Sequence, residues 1–103
     1  MESPVSAKAA ILQALIKGEG YGLDLIERVK ERTKGKLVLG QGSVYPALRD
    51  LERDGLVKSY DGEPIPDRGG KPRRYYKLTA QGQLAATAHQ EVVGSLFLSP
   101  VPT

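Results

Sequence analysis

The spacing of apolar positions changes several times along the chain, and each change marks an element. Ala10, Ile11, Ala14 and Leu15 recur at helical spacing behind Ser6, a good capping residue, so a first helix is expected to about Lys17. Gly18, Gly20 and Gly22 then break the pattern. They fit a tight link between two helices better than a phosphate-cradling loop, which needs a preceding strand and a following Lys-Ser/Thr. Leu25, Ile26 and Val29 form the stripe of a second helix over about 21–33, with Glu27, Lys30, Glu31 and Lys34 on the wet side and Gly35 as its stop. Lys36–Leu39 reads as a short extended link closed by Gly40 and Gly42. A third helix is expected over 43–54, with Ser43 as N-cap, Pro46 tolerated in the first turn and Gly55 ending it. Val44, Leu48 and Leu51 give that helix a core face, while Tyr45, Arg49 and Arg53 share another face.

Past Gly55 the period shortens. Leu56–Tyr60 and Arg74–Leu78 are rich in valine and tyrosine and read as two strands of a hairpin. Between them lie Pro64, Pro66, Gly69, Gly70 and Pro72, a composition that marks a long loop at the tip. Thr79 has cap chemistry for a last helix reaching about Leu98. That helix holds Leu84, Ala85, Ala86, Ala88, Val92, Val93, Leu96 and Phe97 with a single charge, Glu91. A helix apolar over most of its girth is buried somewhere. Gln81, Gln83, His89 and Gln90 argue against a membrane span. A short chain cannot cover such a helix alone, and a two-fold partner would. His89, among alanines, reads as a buried or interface residue.

The expected order is therefore helix, helix, short strand, helix, hairpin, helix. This is a mainly α (α+β) winged helix-turn-helix with a small β-hairpin wing and an added C-terminal dimerisation helix. Residues 1–78 form the DNA-binding domain, 79–98 the dimerisation helix and 99–103 a tail. In such folds the second helix of the motif enters the major groove and meets base edges with its N-terminal residues. Gln41, Ser43, Tyr45, Pro46 and Arg49 populate that region here. Glutamine and arginine read bases, and Ser and Tyr hydroxyls bond phosphates. For Tyr45 the competing reading is packing against the domain, and for Arg49 a surface ion pair.

Composition narrows the choice further. The chain has 103 residues, a formal charge of +3, one histidine and no cysteine. Disulfides, thiolate metal sites, cysteine nucleophiles and multi-histidine zinc sites are thereby removed. No metal or other cofactor is expected, and no nucleophile–base pair suggests an enzyme. The positive charge is concentrated in the tip region, where Arg68, Lys71, Arg73, Arg74 and Lys77 outnumber Glu63 and Asp67. A basic loop flanked by Tyr60, Tyr75 and Tyr76 suits contact with phosphate, and a solvated hairpin tip without a partner is the plainer alternative. The absence of an apolar or Arg-rich leader gives a cytoplasmic expectation.

The run Gly42-Ser-Val-Tyr-Pro-Ala-Leu-Arg-Asp-Leu-Glu-Arg-Asp-Gly-Leu-Val57 closely resembles the recognition-helix signature of the PadR family of winged-helix transcriptional regulators. Ile11-Leu-x-x-Leu15, Gly20-Tyr-Gly-x-x-Leu25 and Lys71-Pro-Arg-Arg-Tyr-Tyr-Lys-Leu-Thr-x-x-Gly82 look like further family landmarks, so the resemblance spans about residues 9–82. It implies a sequence-specific, homodimeric regulator of repressor type acting on double-stranded DNA. On that resemblance Ser43, Tyr45 and Pro46 approach DNA, and the tip with Arg68, Lys71, Arg73 and Arg74 forms the wing. The first and last helices make the dimer interface, with Ile11, Leu15, Leu84, Ala88, Val92 and Leu96 as its candidates. Only about twenty residues follow Gly82, as in the short members of the family. Some of these bind flat aromatic drugs with tryptophan at the dimer centre. This chain has no Trp and only Phe97 there, so an effector is left open. The alternative from another class is a winged helix that docks proteins rather than DNA, suggested by Asp50, Glu52 and Asp54 on the third helix.

Overall fold

The computed structural model describes residues 6–97, and the side chains of all of these except Arg68 and residues 91–97. Four helices and three strands follow in the order α1 (Ala7–Ile16), β1 (Gly20–Tyr21), α2 (Gly22–Arg32), α3 (Gln41–Arg53), β2 (Val57–Pro64), β3 (Pro72–Leu78) and α4 (Ala80–Phe97), with one 3-10 turn, Pro66–Arg68, at the tip of the hairpin.

Helix α1 is the hub. The Ser6 hydroxyl accepts from the Ala9 N–H at 3.2 Å and caps it. Ala10, Ile11, Leu12, Ala14 and Leu15 are all buried, because α2, α3, α4 and β3 pack around them. Helix α2 buries Gly22 at its start and turns the side chains of Leu25 and Val29 inward. It ends in two successive left-handed residues, Lys34 and Gly35, with the Thr33 hydroxyl donating to the Val29 carbonyl and accepting from the Leu37 N–H. The link that follows sends Leu39 into the core and leaves Val38 outside.

Helix α3 begins at Gln41 with Gly40 as its N-cap, two residues earlier than the Ser43 start expected. Ser43 lies inside the first turn. Pro46 consequently sits at the sixth position, beyond the first turn, where it offers no N–H to the Gly42 carbonyl. An interior proline commonly costs a helix about 3 kcal/mol. Val44, Leu48 and Leu51 are buried as expected, and Ala47 joins them. The helix closes in a Schellman arrangement, with Leu56 N–H on the Leu51 carbonyl, Gly55 N–H on Glu52 and Gly55 left-handed at φ 79°.

The third strand of the sheet lies between α1 and α2, not between α2 and α3. Gly20 and Tyr21 form β1, and the sheet order is β1-β3-β2, antiparallel throughout. Tyr21 pairs with Tyr75, and Tyr75 in turn with Tyr60. The hairpin strands extend further than expected, to Pro64 and Pro72, with a bulge between Asp61 and Pro64. The loop proper is confined to 65–71.

Helix α4 starts where the other elements converge. The Thr79 hydroxyl donates to the Gly55 carbonyl at 2.6 Å and accepts from the Gly82 N–H at 3.0 Å, as cap chemistry requires. Thr79 N–H bonds the Leu56 carbonyl. Gly82 lies so close to that carbonyl that a Cβ would collide with it. Ala86 of α4 is fully buried against α1. Ile11 and Leu15, expected at a dimer interface, are buried in the core of the chain itself. Their side chains leave no surface for a partner.

Candidate nucleic-acid interface

The exposed side of α3 is built by subtraction. With Val44, Ala47, Leu48 and Leu51 turned inward, Gln41, Ser43, Tyr45, Pro46 and Arg49 face solvent. Pro46 weakens the helix it occupies and packs no core, so stability does not explain its place. Arg49 is in no ion pair among the described residues. The Tyr45 ring lies against the start of α2. A Cβ on Gly22 would stand 2.6 Å from ring atoms of Tyr45, so glycine at 22 lets the ring rest on the backbone. The packing reading of Tyr45 is met by this contact with α2, and 38% of the residue remains exposed.

Between Tyr45 and the hairpin runs a cleft of about 200 Å³, lined by Tyr21, Gly22 and Leu23 on one side and by Pro72, Arg73, Arg74 and Tyr76 on the other. Tyr76 forms its floor, and burial pushes its phenol pKa above the ordinary value. Arg73 stacks over the Tyr21 ring with 4.6 Å to the centroid. Arg74 is anchored differently. Its Nε donates to the Ser59 hydroxyl at 3.1 Å, and that hydroxyl donates to the Glu52 carboxylate at 2.6 Å. A looser ion pair joins Arg74 to Asp61 at 3.7 Å. Arg74 therefore braces the wing against α3 as well as adding charge. Lys71 is exposed at the tip. The Arg68 side chain lies outside the described residues.

The acids of α3 are engaged at its C-terminal end. Asp50 and Asp54 pair with Arg53 at 3.3 and 3.2 Å, and Glu52 is held by Ser59. The first turn of α3 has no acid, so its N-terminal half presents hydroxyls and an amide without competing carboxylates, with Arg49 one turn further along the same exposed side. The expected face of Tyr45, Arg49 and Arg53 thus divides into two outward groups and one internally paired arginine.

The remaining candidates lie on α4. Leu84 is 72% exposed and Ala88 is exposed. Val92 and Leu96 continue the helix, but their side chains lie outside the described residues. His89 is half-buried, with Nδ1 3.4 Å from Gln13 Nε2, which also donates to the Ala86 carbonyl at 2.8 Å. It borders a cavity of about 260 Å³ between α1, α2 and α4, with Gln13 and Arg32 among its polar lining. Among the described residues no group of acids and histidine is placed to hold a metal ion. None of the helices described is long and apolar enough to cross a membrane.

Sequence reasoning missed β1 and the seat of Tyr45 on Gly22. The signal for both was the alternation Gly20-Tyr21-Gly22: a tyrosine that pairs into the sheet, between glycines that admit close neighbours.

A helix-turn-helix with a β-hairpin beside its second helix defines the winged-helix class. Within it, the model of the transcriptional regulator PadR-like family matches residues 11–88, and the chain belongs to that family. A transcriptional regulator structure from Clostridium thermocellum is similar at TM-score 0.69 and 26% identity, covering 92% of each chain. A PadR-like transcription factor from Bacteroides fragilis is similar at TM-score 0.71 and 30% identity, covering 86% of this chain and 81% of that one. An uncharacterized protein from Lysinibacillus sphaericus is 27% identical over 73 residues, which is 71% of this chain and 64% of the relative's length. The match therefore spans just under two thirds of that relative.

Proposed function

We propose that the chain is a sequence-specific DNA-binding regulator of repressor type, acting in the cytoplasm as a homodimer. Helix α3 enters the major groove, and Gln41, Ser43, Tyr45, Pro46 and Arg49 meet bases and phosphates. The wing, with Arg68, Lys71, Arg73 and Arg74, lies on the backbone or in the adjoining minor groove. The observation that carries this reading is the acid-free, unpaired N-terminal half of α3, opening onto a cleft walled by two wing arginines. Positive charge there and paired acids elsewhere suit a polyanion. The protein-docking alternative loses its motive, since Asp50, Glu52 and Asp54 are occupied within the chain. Pairing through α4 rests on the exposed Leu84 and Ala88, with Val92 and Leu96 extending the same helix.

The test is fluorescence anisotropy with random duplex DNA at low salt, followed by selection of bound duplexes from a random pool. Binding is expected, with half-sites about one turn apart, roughly 34–36 Å. Arg73→Ala weakens binding to all sequences and flattens the salt dependence by about one phosphate's share. Arg49→Ala reduces discrimination between selected and random duplexes, by about 1–3 kcal/mol where Arg49 reads a base. No binding to any duplex at low salt refutes the reading.

A further inference from the structure

The outer face of the wing sheet is an unpartnered cationic surface. Directly opposed residues on neighbouring strands point to the same side, and alternate residues share a face. Val57 and Tyr76 are buried on the inner face, so Lys58, Tyr60, Tyr75 and Lys77 point outward, with Tyr21 beside Tyr75. The three tyrosines make a continuous row. Tyr60 and Tyr75 stack at 5.6 Å, and Tyr21 meets Tyr75 edge-on at 5.5 Å. Cations flank the row: Arg73 over Tyr21, and Lys77 over Tyr60 at 5.8 Å.

Two features make this more than a solvated face. Lys58 and Lys77 stand directly opposite each other, and like charges in that relation destabilise a strand pair. Neither they nor Arg73 is in an ion pair among the described residues. At the end of the row a hydrogen bond to Glu19 holds the Tyr60 hydroxyl above its ordinary pKa. The opposed lysines thus lack an ion-pair partner among the described residues, and an anionic partner would relieve their repulsion. Arg73 belongs both to this face and to the cleft beside α3, so the surface continues the proposed DNA interface around the edge of the wing.

We infer that the outer wing face, through Lys58, Lys77 and Arg73 on the tyrosine row, binds the phosphate backbone of duplex DNA flanking the segment read by α3. This rests on the DNA-binding reading above. It predicts that the protein engages a longer duplex than helix and wing tip alone require.

The test compares the full-length chain with its Lys58→Gln/Lys77→Gln variant on two duplexes. One is the shortest selected duplex that still binds. The other is the same duplex extended by about one helical turn, roughly 10 base pairs, at each end. The wild type is expected to bind the extended duplex about tenfold more tightly. The variant loses that gain and keeps its affinity for the short duplex. Its salt slope on the extended duplex falls by about 1.8, the share of two phosphates. Its thermal midpoint is unchanged or raised, since the opposed charges are gone; a lowered midpoint would make the lysines structural and overturn the inference. Equal loss on both duplexes, or no loss on either, overturns it while leaving α3 and the wing tip on DNA. A wild type indifferent to duplex length that binds a polyglutamate peptide through the same lysines overturns it in favour of an acidic protein. Failure of the wild type on both duplexes overturns the inference together with the reading beneath it.

Discussion

Helices α1 and α4 are alike as strings of residues and unlike in their surroundings. Both are apolar around most of their circumference. Helix α1 has its apolar face, Ala10, Ile11, Leu12, Ala14 and Leu15, buried by its own chain. Among its described side chains, helix α4 buries only Gly82 and Ala86 and shows Leu84 to solvent. Girth-wide hydrophobicity therefore says that a helix is to be covered, and the fold decides by what. For α1 the cover is α2, α3 and the sheet. For α4 the cover proposed above is a second copy of the chain.

Four substitutions sharpen that contrast. The largest effect is expected at the hub: Ile11→Ala leaves a cavity in a closed core and costs about 2–5 kcal/mol in denaturant unfolding. Next is the root of α4. Thr79→Ala removes a cap and strands the Gly55 carbonyl, a loss of about 1–2 kcal/mol by the same measurement. Ser6→Ala, at the start of α1, costs about 1 kcal/mol. Leu84→Glu has the smallest effect on the fold, within about 0.5 kcal/mol once dissociated. Yet it converts a dimer to a monomer in light scattering, because a charge would have to be buried unpaired between copies. If Leu84→Glu unfolds the chain, or leaves the mass unchanged, the contrast between the two helices is false.

Much of this was legible in the residues. Ser6 and Thr79 announced their helices, and the inward face of α3 followed from the spacing of Val44, Leu48 and Leu51. The hairpin was legible from its tyrosines and valine. Three things were not. Gly20 and Tyr21 form a strand of two residues, too short for any period, and only the third strand at Tyr75 and Tyr76 creates it. The start of α3 lies at Gln41, with Gly40 in the extended N-cap conformation and no side-chain cap bond, and Pro46 is accepted inside the helix, where the acceptor that loses its N–H is on the exposed Gly42. Ile11 and Leu15 are interface candidates only through the family resemblance, and no local pattern shows that α2, α3, α4 and β3 of the same chain already bury them. At the site, the residue types were legible but not their division of labour. Nothing in the order of residues shows that Arg74 leans on Ser59 and Glu52 while Arg49 stands free.

The junction at Thr79 has a geometric consequence. One hydroxyl ties the end of α3 to the start of α4, and Gly82 presses the latter against the Leu56 carbonyl. The direction in which one helix leaves is thus set by where the other stops. In the two-fold pair proposed above this joint would act as a fixed caliper whose opening sets how far apart the two copies of α3 stand. A residue inserted after Gly82 would rotate the rest of α4 by roughly 100° about its axis, and the caliper would then be set for a different gap or would not close at all.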